Sequence, residues 1–248
     1  MFSRSFLWPL LKGSFRANRF GSLMLLLTLF ALGAHETTFA ATARGEGNVD
    51  LPRFPSISPD GKVVVFSWRG DLWSVPFEGG TAKRLTSHPG RDHDSAWTPD
   101  GSTIVFESDR DGTTNLWAMA PDGTEIRRLT DLDASVALGG VGRDANGDIV
   151  VGLTGYLEGD VYRSPRPYEV GIEGGDPQRL HDAFGGLNVR SPDGRRAAFE
   201  RGGAKWERRH YRGDDRRDVW LHDTETGAFL PIADSEGNDG KPRWAGND

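Results

Sequence analysis

The chain has 248 residues, of which 36% are hydrophobic and 27% charged, with 33 glycines, 14 prolines and no cysteine. That mixture suits a globular chain of many short strands and turns, and it excludes a helical bundle, a disordered tail, a disulfide frame and a thiolate metal site. The formal net charge of −6 argues against nonspecific nucleic-acid binding, which depends on neutralising phosphates.

The first 40 residues differ from the rest. Arg4, Lys12, Arg16 and Arg19 precede an uncharged apolar run at 23–32, and Thr38-Phe39-Ala40 or Ala41-Thr42-Ala43 after it suits a signal peptidase. This is the layout of a secretory signal with a long basic leader. A bilayer-spanning helix needs roughly 20 apolar residues, about twice this run, so cleavage is favoured over a retained anchor. The lack of cysteine after the run excludes a lipoprotein anchor. Residues 1–40 are read as a signal peptide and 41–50 as a linker. The expected location is the periplasm or the exterior, with no stable membrane anchor after cleavage. Removing residues 1–40 takes away four basic residues and one acid, Glu36, and leaves the remainder more acidic.

From Leu51 onward the chain repeats itself. Ser58-Pro59-Asp60-Gly61 recurs as Thr98-Pro99-Asp100-Gly101 and Ser191-Pro192-Asp193-Gly194, with a weaker copy at Asp144-Ala145-Asn146-Gly147. Phe66, Phe106 and Phe199 each lie five residues past the turn glycine, whereas the third copy has Gly152 there. Asp71-Leu72-Trp73 is matched by Asn115-Leu116-Trp117 and Asp218-Val219-Trp220, and Tyr168 takes the aromatic place in the third copy. A glycine follows at Gly79, Gly123, Gly174 and Gly227, and a leucine beyond it at Leu85, Leu129 and Leu180, within Arg-Leu-Thr in the first two copies. Proline sets φ in the turn, aspartate bonds nearby amides and glycine accepts positive φ. Between the landmarks lie β-branched and aromatic runs such as Val63-Val64-Val65-Phe66, which read as strands. The recurring Trp and Phe read as core between adjacent sheets.

The expected fold is all-β, a β-propeller of four-stranded blades. The repeats fall at about 51–90, 91–135, 136–183 and 184–241, and 242–248 looks like the start of a fifth. Propellers usually close with four to eight blades, which protects their edges, and six are expected in the full protein. The chain is therefore read as a fragment, and residues 44–248 expressed alone are expected to be poorly soluble.

Tandem Pro-Asp-Gly blades with Asp-Leu-Trp strands resemble TolB-type propellers and the amino-terminal propeller of the tricorn protease family. Two stretches favour tricorn. The opening Leu51-Pro52-Arg53-Phe54-Pro55 through Gly79-Gly80-Thr81-Ala82-Lys83-Arg84-Leu85-Thr86 looks like that family's first blade. Lys205-Trp206-Glu207-Arg208-Arg209-His210-Tyr211-Arg212-Gly213, followed by Asp218-Val219-Trp220, resembles its fourth. The resemblance covers about residues 50–248. It implies a large serine peptidase of two propellers, a PDZ domain and a catalytic domain, in which the propellers channel peptides. It also implies homo-oligomeric assembly. The family's nucleophile and base lie far beyond this propeller, so no catalytic residue carries over. A TolB-type interaction module is the alternative, but it would carry an α/β domain before the blades, for which residues 41–50 leave no room. A third class, a propeller enzyme with active carboxylates at the central mouth, requires placements that the sequence does not give.

No Gly-x-Ser-x-Gly elbow occurs. His93 with Asp92, Asp94 and Ser95 could be written as a triad, but triads are defined by spatial roles, and the cluster reads as the loop entering the second blade. Asp109-Arg110-Asp111-Gly112 and Asp144-Ala145-Asn146-Gly147-Asp148 lack the spacing of a calcium loop and read as turns. Arg69-Gly70-Asp71 and Arg212-Gly213-Asp214 look adhesion-like, but Asp71 belongs to a structural landmark. The strongest functional candidate is Lys205, Trp206, Arg208, Arg209, Tyr211 and Arg212, a basic-aromatic loop on an acidic chain. Its length exceeds what a hairpin needs. Guanidinium groups hold carboxylates bidentately and aromatics stack on side chains, so the expected partner is a peptide or unfolded protein segment. No catalytic residue, metal or cofactor is assigned.

Overall fold

The computed structural model describes residues 48–159, 165–203, 213, 216–232 and 237–245. Its strands form four antiparallel sheets, each in chain order. The first holds β1 (Arg53–Ile57), β2 (Val63–Trp68), β3 (Asp71–Pro76) and β4 (Lys83–Arg84). The second holds β5 (Asp92–Trp97), β6 (Ile104–Ser108), β7 (Asn115–Met119) and β8 (Arg127–Arg128). The third holds β9 (Val136–Arg143), β10 (Ile149–Gly155), β11 (Arg166–Gly171) and β12 (Gln178–Arg179). The fourth holds β13 (Gly186–Arg190), β14 (Arg196–Arg201), β15 (Asp218–Asp223) and β16 (Phe229–Pro231). First strands pack on first strands, β1 on β5, β5 on β9 and β9 on β13. They make the inner wall, and the short fourth strands stand outside. This is the expected all-β propeller architecture.

Each landmark has a defined partner. In the Pro-Asp-Gly turns the first residue's hydroxyl donates to the aspartate at 2.6 Å, Ser58 to Asp60, Thr98 to Asp100 and Ser191 to Asp193. The same hydroxyl accepts the amide of the following strand, as Ser58 Oγ does from Val63 at 2.9 Å. These bonds hold the Asp60 and Asp100 carboxyls down at about 2, the hydroxyl contributing most. Asp144 replaces both groups in the third turn, accepting the amides of Asn146 and Asp148 at 2.9 Å.

The Arg-Leu-Thr landmark serves the strand beside it. Leu85 and Leu129 amides donate to the carbonyls of Leu72 and Leu116, while the buried hydroxyls of Thr86 and Thr130 accept the Leu72 and Leu116 amides at 3.0 Å. In the third sheet the equivalent of Leu72 is Pro167, whose carbonyl takes the Leu180 amide. Proline has no N–H to satisfy, so the threonine is dispensable, and His181 stands in its place.

The core lies between sheets. Val65, Leu72, Leu85, Ile104, Phe106 and Met119 join the first to the second. Val105, Leu116, Leu129, Val151, Leu153 and Tyr168 are among those joining the second to the third. Phe66, Phe106 and Phe199 are buried. The tryptophans differ from expectation: Trp73, Trp117 and Trp220 are only half-buried. Trp117 packs against the core and lies under the guanidinium groups of Arg110 and Arg128, 4.6 and 5.9 Å from its centre.

The absence of phenylalanine at Gly152 also has a cause. A Cβ there would lie 2.7 Å from Asn188 Nδ2, and one at Gly139 would lie 2.6 Å from the Asn188 carbonyl. The fourth sheet's inner strand passes too close for any side chain. The same seam is closed by Arg190, whose two nitrogens each donate to one Glu169 oxygen at 2.6 Å, both side chains being nearly buried.

Two stability predictions follow from these contacts. Thr130→Val keeps shape but strands the Leu116 amide and removes the hydroxyl that donates to Asn115 Oδ1 at 2.8 Å. It is expected to lower unfolding free energy by about 1–3 kcal/mol in urea titrations, and an unchanged midpoint would refute the pairing. Gly61 and Gly194 share φ near +74° and +73°, but a Cβ at Gly194 would lie 2.2 Å from the Asp144 carbonyl, while Gly61 faces open space. Gly61→Ala should cost about 1–2 kcal/mol from backbone strain alone, and Gly194→Ala markedly more. Equal losses would contradict the contact between turns.

Candidate functional site

The inner wall is broken at one place in each repeat. The ladder slips between Arg53 and Ser56, between His93 and Ser95, between Gly186 and Val189, and opposite Val151 and Leu153. Phe54, Asp94 and Leu187 sit in these bulges at φ of 50°, 47° and 50°, and Lys241, beyond the fourth sheet, repeats the conformation at 56°. Positive φ is unfavourable for bulky residues, and such outliers mark positions that the surroundings over-determine. Bulges also re-aim side chains.

Between the first and second sheets the bulges open a groove lined by Leu51, Arg53, Phe54, Trp68, Arg69 and His93. Leu51 and Phe54 are exposed, and the Phe54 ring lies 6.1 Å from that of His93. Arg69 stacks over Trp68 at 4.4 Å, and the Trp68 indole donates to the Asp50 carbonyl at 2.9 Å. Arg53, Arg69 and Arg91 line the groove beside these rings, with Asp92 also in the lining and Asp50 3.9 Å from Arg69; its guanidinium groups and rings suit a carboxylate with an apolar neighbour.

His93 forms the groove's inner end. Its Nδ1 lies 3.4 Å from Glu107 Oε2 and 3.8 Å from Asp94 Oδ2. Glu107 Oε1 accepts the Leu138 amide at 2.7 Å, tying the second sheet to the third. Burial pushes the Glu107 carboxyl up to about 7. Glu200, at the same distance past its turn glycine, likewise accepts the Lys241 amide. Sequence reasoning missed Glu107; its recurrence as Glu200, six residues past the turn glycine, was the available signal.

The triad reading fails on geometry. Ser95 Oγ shares a hydrogen bond with Ser56 Oγ at 2.7 Å, and Asp92 Oδ1 accepts from Arg110 at 2.9 Å, so neither serves His93. The calcium-like stretches are turns whose first carboxylates accept amides, Asp109 from Arg91 and Asp144 from Asn146 and Asp148. Asp71 is buried and accepts from Arg84 at 2.6 Å, which withdraws the aspartate of the first adhesion-like tripeptide from the surface. Of the second, Arg212 and Asp214 lie outside the described residues. So do Lys205, Trp206, Arg208, Arg209, Tyr211 and the signal segment 1–40. The basic-aromatic residues fall between β14 and β15, the same connection that in the first sheet carries Arg69 and Gly70 into the groove.

A second cluster lies on the fourth sheet. His181, Phe199, His222 and Phe229 stack with ring centres 4.4–6.0 Å apart. Burial, and then the neighbouring His222, lower His181 to about 4.

Residues 49–248 match the family described as tricorn protease N-terminal beta propeller domain. An uncharacterized protein of Agrobacterium fabrum is 32% identical over 160 residues, 58% of this chain and 53% of that one. Tricorn protease homolog 1 of Streptomyces coelicolor is 28% identical over 204 residues, 79% of this chain and 18% of that one. The solved putative TolB from Agrobacterium tumefaciens matches with TM-score 0.59 and 22% identity, over 75% of this chain and 66% of that one. The solved tricorn protease matches with TM-score 0.59 and 21% identity, over 77% and 19%. The chain thus spans about half of the first relative and under a fifth of the tricorn proteins.

The aromatic cluster predicts acid sensitivity. A histidine whose folded value lies below its unfolded one contributes stability above the unfolded value, about 6.5, and loses it as pH falls toward 4. His181→Phe should therefore flatten the fall in melting temperature between pH 6.5 and 4. Parallel pH profiles for the two proteins would rule this out.

Proposed function

Because the chain belongs to the tricorn protease N-terminal β-propeller family, we propose that it is the propeller portion of an exported tricorn-like serine peptidase, binding or gating peptides that are cleaved elsewhere in the full protein. The carrying observation is the family match across all four sheets, 49–248. The sequence supports export through its basic leader and apolar run. Homo-oligomeric assembly is part of the same proposal.

The chemistry of the groove supports the role. Arg53, Arg69 and Arg91 stand with Phe54 and Trp68 along it, and Lys205, Arg208, Arg209 and Arg212 with Trp206 and Tyr211 belong to the fourth repeat. An extended peptide offers a terminal carboxylate, which guanidinium groups hold by paired hydrogen bonds, and side chains that stack on rings. A rigid array of sheets with ligand-holding loops at one end is the usual division of labour in such scaffolds. Exposed ion pairs of this kind weaken with salt.

A TolB-type interaction propeller without enzymatic activity is the second reading. It is favoured by the equal TM-score of 0.59 and the larger share, 66%, of the putative TolB structure that is covered. The two separate by ligand. The peptide reading expects the full chain to bind a fluorescein-labelled unstructured acidic peptide in anisotropy titrations. Joint substitution of Arg208, Arg209 and Tyr211 by alanine should weaken binding at least about tenfold, as loss of such anchors does, without changing circular dichroism. An amidated carboxyl terminus on the peptide should weaken it as well. Equal affinity for the variant, or no binding to any peptide, would remove this function and leave the interaction module.

A further inference from the structure

We propose that His93, Asp94 and Glu107 form a binding site for one divalent transition cation, with zinc the best fit, on the inner wall where the first three sheets meet. The three donor atoms already lie within 4.8 Å of one another. His93 Nδ1 is 3.4 Å from Glu107 Oε2 and 3.8 Å from Asp94 Oδ2. Ligand atoms held about 2.1 Å from a tetrahedral zinc ion lie about 3.4 Å from each other, so only the Asp94 side chain has to close in.

The backbone is built for this convergence. Successive side chains on a strand point to opposite faces, so neighbours such as His93 and Asp94 do not normally share a ligand. Here the bulge at Asp94, with φ of 47°, breaks the alternation. His93 lies directly opposite Glu107 in the ladder, and the bulge adds the third carboxylate. The bulges at Phe54 and Leu187 have the same conformation, but Arg53 and Gly186 there replace the histidine. The ligand set therefore belongs to the second repeat.

Two further observations point to a cation. Among the described residues His93 Nδ1, closed off from solvent, makes no hydrogen bond of good geometry and faces only the Glu107 and Asp94 carboxylates, although buried polar atoms are nearly always hydrogen-bonded. Glu107, whose side chain is 8% exposed, has its other oxygen fixed by the Leu138 amide, the kind of outer contact that orients a metal-binding carboxylate. One imidazole and two carboxylates suit zinc or manganese, whereas magnesium and calcium prefer oxygen alone. Three protein donors leave a position open to water from the groove. The site shares His93 with the groove, but its argument does not require that a peptide binds there.

The test is calorimetric titration of the metal-free full chain with zinc chloride and manganese chloride, with calcium chloride as comparison. One equivalent of zinc should bind and raise the melting temperature, and calcium should do neither. Asp94→Asn retains a residue type that tolerates positive φ, and Glu107→Gln retains an oxygen for the Leu138 amide. Both should bind zinc at least about tenfold more weakly. No zinc binding at millimolar concentration, or unchanged binding in both variants, would overturn the site. Anomalous scattering from zinc-soaked crystals gives a readout that needs no variant. A peak among the three donors supports the site, and a peak elsewhere overturns it.

Discussion

A four-stranded sheet presents two faces to water and has too little interior to cover either by itself. Each sheet of this chain therefore depends on its neighbour, and the apolar clusters lie between sheets rather than within them. Closing sheet on sheet also buries polar groups where strands end, and those groups need fixed partners. Thr86 and Thr130 take the amides of Leu72 and Leu116, and Glu107 takes that of Leu138. The landmark threonines are the residues that give these strand amides their partners.

The exceptions follow the same constraint. Gly152 interrupts the phenylalanine series because Asn188 passes within a side chain's reach of it. His181 interrupts the threonine series because Pro167 has no amide to satisfy. The seam between the third and fourth sheets thus substitutes backbone approach, a buried Arg190–Glu169 pair and an aromatic-histidine cluster for the packing used earlier in the chain. Breaking a nearly buried pair of this kind by removing one partner is costly, about 3–5 kcal/mol.

Much of this was legible because it is local. Turn hydroxyls, aspartates and glycines act within five residues, and the strands between them carry their own β-propensity. The burial of Phe66, Phe106 and Phe199 could be read from their spacing. The half-burial of Trp73 and Trp117 could not, because it depends on which arginines arrive from other strands, as Arg110 and Arg128 do at Trp117. The inner-wall bulges were illegible for a similar reason: a residue's φ at Phe54 or Asp94 is set by ladder register, which composition does not record. His93 was visible as a polar cluster, but its partner Glu107 sits on the next strand, fourteen positions on, and Asp92 and Ser95 turn to other groups. The basic-aromatic run 205–212 is evident in the sequence and lies outside the described residues.

The chain divides into a stack of sheets and a proposed binding end at the bulged inner strands, with the β14–β15 connection assigned to it by its sequence. Hydrogen–deuterium exchange of the full chain, with and without a saturating acidic peptide, tests that division directly. Protection confined to residues 50–54, 68–70, 91–94 and 202–217 is the predicted result. Protection along β4, β8, β12 and β16 instead, or no change anywhere, would contradict it.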